Sequence, residues 1–371
     1  MYNPQIAQTV WLPYSPQFRD ALLDAAGAAF GCASTLTTPS GKPVRLDTVL
    51  NQIHKAEGPL TQTLLKLAHI GRPDVARFVT TFYPRLMPYY IQCGLKNPVH
   101  HTAYVLEYVV AITIGEGRAG GPDLDVGVLA ALFHDAAQGL STRPKITEAN
   151  LKDKIRDVLN GQATLQALQE YRQDAIQDRQ EHMQEGARIA GDELDAYRQK
   201  HPQALTDETI REVQRLIRCH DNPKIPVTYG LFQRAFTKDK ACQDWRARLP
   251  AQKQANLSAW LAATGEEYLI DVDDWRLQVL HEADLLWMVT QDGIDADLAR
   301  FPPSQAKTPR AIIDNNTALH HQEVDLYRGK ADFCQYGFRE GTVYRTQTGH
   351  ALFAHLTQVL EDRWPAQGET P

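Results

Sequence analysis

Four histidines and two aspartates, His101, His134, Asp135, His182, His220 and Asp284, are spread through a chain whose surroundings otherwise read as ordinary helices. Imidazole nitrogen and carboxylate oxygen are the donors that divalent transition metals take in proteins. Most of the six fall on apolar stripes that would face a core. His101 shares a helical face with Val105, Tyr108 and Ile112, and His220 closes a stripe made by Ile210, Val213 and Ile217. Asp284 interrupts the face between Leu280 and Trp287, where a plain core would carry another leucine. An uncompensated buried charge costs on the order of several kcal/mol. One shared cation would account for all of these interruptions together.

Each residue also has a plainer reading. About one His-Asp dipeptide is expected by chance in a chain with this many histidines, and there are two, His134-Asp135 and His220-Asp221. His182 lies in a polar stretch, where a surface histidine is the alternative to a ligand. His220 reads as a core histidine satisfied by its neighbours. What raises the metal reading is the order of the six along successive helices.

Those helices are marked by local signals. PDLDVGVLAALFHDAAQG opens on proline and acidic residues, carries a dense apolar run and stops at Gly139. A helix is expected over 147–160, capped by Thr147, and a long one over 163–198. Thr206 or Asp207 caps the next, which Pro223 ends, and DDWRLQVLHEADLLWMV forms another. Residues 17–30 and 59–82 read as helices of an N-terminal helical cap spanning 1–95. Residues 223–270 read as a mixed insertion with weaker helices around 250–263, in a core of 96–299. The stretch 300–371 reads as a C-terminal extension of loops packed on the core, with a hairpin at GFREGTVYRTQTG and a closing helix at 349–362. The expected class is all-α.

The series H…HD…H…H…D resembles the HD superfamily of metal-dependent phosphohydrolases, an all-helical fold. HHTAYVLEYV is similar to that family's first-histidine helix, VLAALFHDAAQ to its HD helix, and HEADLLWMV to its last, Ala-Asp-Leu helix. The likeness covers about residues 98–290. It implies that His101, His134, Asp135 and Asp284 hold one metal, and that His182 and His220 add a second ion with Asp135 bridging. The family's valine four residues after the first histidine favours His101 over His100, and the Ala-Asp-Leu context favours Asp284 over His281 and Asp297. Asp135 and His134 are then the catalytic centre, and the implied cofactor is a divalent transition metal, two ions drawn from Mn, Fe, Co, Ni or Zn.

Two departures bear on the substrate. Many relatives carry a phosphate-holding lysine three residues after the HD aspartate, where this chain has Gln138, and the GYP signature of one branch is absent after His220. Gln138, Arg143, Lys145 and Lys224 are the substrate-binding candidates, with Arg276 and Arg310 further on; arginine and lysine grip phosphate through charge-assisted hydrogen bonds. The expected activity is hydrolysis of a phosphoester of a small nucleotide or related metabolite by a metal-activated water. Two alternatives keep the same residues: a di-iron oxygenase cleaving a C–C or C–P bond, and a nucleotide-binding protein without turnover. Asp221, beside His220, is a candidate to orient the ligands from behind.

Composition excludes other classes. The 371 residues carry a net charge of −6 with the two signs interspersed, which argues against long nucleic acid as a partner and leaves a small anionic substrate. Five scattered cysteines without a C-x-x-C pair fit a reducing compartment. The start lacks a signal-peptide profile and no apolar run reaches the ~20 residues of a membrane span, so no membrane and a cytoplasmic location are expected. A homo-oligomer is left open.

Overall fold

A computed structural model describes residues 35–38, 41–45, 48, 51, 55–92, 98–138, 140, 148–299, 301 and 306–365. The described residues are overwhelmingly helical, and the all-α class stands. The exception is a two-stranded antiparallel ribbon, β1 (Thr35–Thr37) and β2 (Pro43–Arg45), with Leu36 opposite Val44. The expected helix at 17–30, the cap Thr147, the stop Gly139 and the candidates Arg143 and Lys145 lie outside the described residues.

The chain divides into two compact units. The first takes the described residues within Met1–Leu140, Met183–His220 and Val272–Pro371. It contains α1 (Glu57–His69), α2 (Pro73–Gln92), α3 (Pro98–Gly115) and α4 (Pro122–Phe133). It also holds the C-terminal part of the long helix α6 (Leu165–Lys200) and α7 (Asp207–Cys219). Its last helices are α11 (Trp275–Leu286), α12 (Gln291–Ala299), α13 (Pro309–Gln322) and α14 (Gln347–Arg363). The second unit, Ser141–His182 with Asp221–Asp271, contains α5 (Glu148–Leu159) and the start of α6. It is completed by α8 (Lys224–Lys238), α9 (Lys240–Ala247) and α10 (Ala251–Ala262).

Helix α4 is the centre of the first unit. Leu124 and every residue from Val126 to Phe133 are buried, and a helix apolar on all sides belongs inside a core. It packs against α2, α3, α7 and α11. Pro122 opens it at a position where the missing amide hydrogen costs nothing. The second unit has its own cluster, in which Leu151, Ile155 and Val158 of α5 meet Leu168 and Tyr171 of α6, Phe232 and Phe236 of α8, and Leu257 and Leu261 of α10.

Four local expectations are corrected. The stretch 59–82 is two helices, because the chain turns at Gly71, whose φ of +70° is a left-handed conformation that glycine adopts without strain. Residues 223–270 hold the expected helix near 250–263, α10, and two more before it, α8 and α9, and Pro223 stands at the N-terminus of α8 instead of simply ending α7. Residues 309–322 form α13 where loops were expected. Residues 337–346 form turns and no strand, with 347–349 opening α14, because the amides of Arg345 and Thr346 are taken by the Glu282 carboxylate (2.7 and 3.1 Å) and that of Val343 by the carbonyl of His320 (2.9 Å). A ladder would have needed those donors.

Candidate metal centre

His134 and Asp135 stand in the turn that ends α4, so a helix buried in the core of the first unit delivers them. Backbone bonds from Ala136 to Phe133 and from Gln138 to Asp135, both 3.1 Å, tighten that turn. Helix α6 passes close beside it. A Cβ on Gly186 would come within 3.2 Å of Ile217 and 3.5 Å of the His134 carbonyl oxygen, so a larger residue there would push α6 away.

Four helices of the first unit aim side chains at one point. From α3, His101 Nε2 lies 3.0 Å from His134 Nε2, 3.3 Å from Asp135 Oδ2 and 3.0 Å from Asp284 Oδ1, the last carried by α11. His134 Nε2 is 3.7 Å from Asp135 Oδ2. His220, at the end of α7, brings Nε2 to 3.6 Å from the other oxygen, Asp135 Oδ1. All five side chains are buried. Two donors about 2.1 Å from one ion stand ~3.0 Å apart at a right angle and ~3.4 Å apart at a tetrahedral one. The observed spacings fit the donor set of a transition-metal ion. His101, His134 and Asp135 each offer a ligand atom within 4.8 Å of the others.

The helix ends also orient the rings. The last carbonyls of a helix have no amide partner of their own. His134 Nδ1 donates to the carbonyl of Ala131, and His220 Nδ1 donates to that of Ile217, each at 2.8 Å. A proton held on Nδ1 leaves the Nε2 lone pair facing the centre, the tautomer that a metal needs.

Burial opposes charge on every group here, yet the three central ones differ. His101 loses by burial but gains more from its hydrogen bonds to Asp135 and Asp284, and is pushed up to about 9. His134 is pulled down to about 4, chiefly by burial, against the attraction of Asp135. Burial would raise Asp135, but the surrounding imidazoles hold its carboxyl well below the usual range. Without metal, a proton on His101 supplies the positive charge between two carboxylates.

That proton gives a pH test. A raised histidine contributes stability that is complete below its ordinary value of 6.5 and is lost as pH rises through about 9. Chelator-treated protein is therefore expected to show a urea midpoint that falls between pH 6.5 and 9, while metal-loaded protein does not. Loading at pH 7 should release protons, read with an indicator dye in weak buffer. A flat midpoint in the metal-free protein contradicts the assignment.

The remaining candidates have their own surroundings. His182 is the last residue of the second unit; its Nδ1 faces the Asp178 carbonyl at 3.3 Å and its Nε2 stands 3.6 Å from Asp221 Oδ2. Gln138 is half-buried in the turn after Asp135. Lys224 Nζ is 2.6 Å from Asp221 Oδ1. Arg276 is engaged with Asp123 (2.6 Å) and Glu212 (3.3 Å), and Arg310 with Asp314 (2.7 Å). His100 stands off the cluster, its Nδ1 3.9 Å from Asp292, and His281 is bonded to Glu323 at 2.5 Å.

Arg179 escaped the sequence reading. It donates from Nη1 to Asp221 at 2.7 Å, and its place three residues before His182, on the same turn of α6, was the available signal. Comparison with known protein families, curated proteins and solved structures finds no match to the chain.

Proposed function

We propose that the chain is a metal-dependent phosphohydrolase of the HD type, acting on a small anionic phosphoester such as a nucleotide. The carrying observation is the Asp135 carboxylate, whose Oδ2 faces His101 and His134 while Oδ1 faces His220. A carboxylate with a different donor set on each oxygen suits two ions roughly 3.5–4 Å apart. In this reading His101, His134, Asp135 and Asp284 hold one ion. Asp135 and His220 belong to the other, for which the family resemblance adds His182.

Bound divalent ions would acidify a water and offset charge on the phosphoryl oxygens. The chain's own part is positional. The carbonyls of Ala131 and Ile217 keep the rings of His134 and His220 in one tautomer. Gln138 can hydrogen-bond substrate or water but brings neither charge nor a base. Lys224 is the cation assigned to the substrate phosphate.

The test is elemental analysis of the purified protein, followed by a screen of phosphomonoesters, phosphodiesters and nucleoside triphosphates with Mn²⁺, Co²⁺ and Fe²⁺. Metal above about one ion per chain with turnover of one ester class is expected. Oxygen consumption with a polyol or phosphonate, and no ester hydrolysis, would replace this reading with an oxygenase. Nucleotide binding without turnover of any kind would replace it with a binding protein.

A further inference from the structure

The second unit carries an arrangement around Asp221 that sequence spacing did not reveal. Asp221 is buried, and each of its oxygens holds one cation: Oδ2 accepts from Arg179 Nη1 at 2.7 Å and Oδ1 lies 2.6 Å from Lys224 Nζ. The carboxylate is almost fully enclosed, yet the two cations reach solvent, with side-chain exposures of 33% for Arg179 and 29% for Lys224. Two partly exposed cations thus share this one buried carboxylate.

The guanidinium is also underused. It has five N–H donors in a fixed plane, and among the described residues only one is spent, on Asp221. A structural arginine satisfying a buried carboxylate would more often give both nitrogens of its fork to it. Here Asp221 instead holds the group by one corner and leaves the others presented. His182 Nε2 stands 3.6 Å from the same Oδ2, so the cations sit at the imidazole assigned above to a metal.

We propose that Arg179 is a phosphate-binding residue, with Asp221 as the positioning residue that holds it and Lys224 as a pair. The ligand class is a tetrahedral oxyanion, the phosphoryl group of the substrate or free phosphate as product. This rests on the phosphohydrolase reading for its place beside the metal, but phosphate binding is measurable without turnover.

The test is titration of metal-loaded protein with inorganic phosphate, by calorimetry and ³¹P line broadening, for wild type, R179Q, R179K, K224Q and D221N. R179Q is expected to raise the phosphate Kd by about tenfold or more with metal content unchanged, and R179K to recover most of that loss. D221N keeps both cations but releases them, and is expected to weaken phosphate binding. R328Q, at an exposed arginine paired with Asp325, controls for net charge and should match wild type. Where an ester is turned over, R179Q should raise KM more than it lowers kcat. Wild-type phosphate affinity in R179Q, or an equal loss in R328Q, overturns the proposal. If R179Q sheds metal, R179K decides instead: weak phosphate binding with full metal content would show that charge at this position is not what binds. A protein that binds phosphate through Arg179 and hydrolyses no ester keeps this inference and rejects the hydrolase; hydrolysis with an unchanged R179Q KM does the reverse.

Discussion

Replacing Asp135 with alanine is expected to reduce bound metal to under about a tenth of the wild-type content and to abolish turnover. The reason lies in how many groups share this one side chain. Its two oxygens face His101 and His134 on one side and His220 on the other, so this one side chain touches both donor sets. Partners that merely orient a ligand cost about 10–100-fold in metal affinity when removed, and loss of a shared ligand should exceed the upper end of that range. The substitution also strands His101, whose charge in the metal-free state is supported first by Asp135 and then by Asp284. D135A should therefore lose the urea-midpoint fall between pH 6.5 and 9 as well as the metal. H100A, one residue from His101 but off the cluster, serves as the control that keeps both. Metal content in D135A close to wild type would remove Asp135 from the centre.

The largest stability effect away from the site is expected at Lys66. Its ammonium is fully buried and bonded at 3.0 Å to Glu107, itself almost wholly enclosed, which ties α1 to the helix that carries His101. K66M leaves a buried carboxylate with no cation, a loss of about 3–5 kcal/mol. Replacing both residues, as K66M with E107L, removes the unpaired charge along with the pair and should cost far less. Burial already raises Glu107 above its ordinary value against the pull of Lys66. A raised carboxyl favours folding below its unfolded value and loses that contribution as pH rises. The defect in K66M should accordingly shrink as pH drops toward 4.5. Urea denaturation at pH 7 and pH 5 reads both effects. A single variant as stable as the double one at pH 7 would show that Glu107 finds another partner or reaches water.

Hydrophobic period carried the helical class, because amphipathic stripes are local and survive in the sequence. The apolar run of α4 needs no partner to be seen, and neither does the stripe of Ile210, Val213 and Ile217 on α7. Asp284 was conspicuous for the same reason: an acid where the pattern asks for leucine. Residues 337–349 were misread because their donors end on a side chain, Glu282, more than fifty residues away. Periodicity carries no trace of that. The helices of 223–270 were underweighted because their buried faces are short and meet α5 and α6 rather than continuing a long stripe.

Residue types and their order along the chain were enough to propose the donors and the class of ion they suit, since ligand chemistry belongs to the side chain itself. Distance and direction belong to packing. Only the fold places His101 Nε2 at 3.0 Å from Asp284, turns the two oxygens of Asp135 toward different imidazoles, and sets Arg179 on a carboxylate forty-two positions away. Each depends on how separate helices meet, and that contact energy is spread over side chains that no local pattern connects.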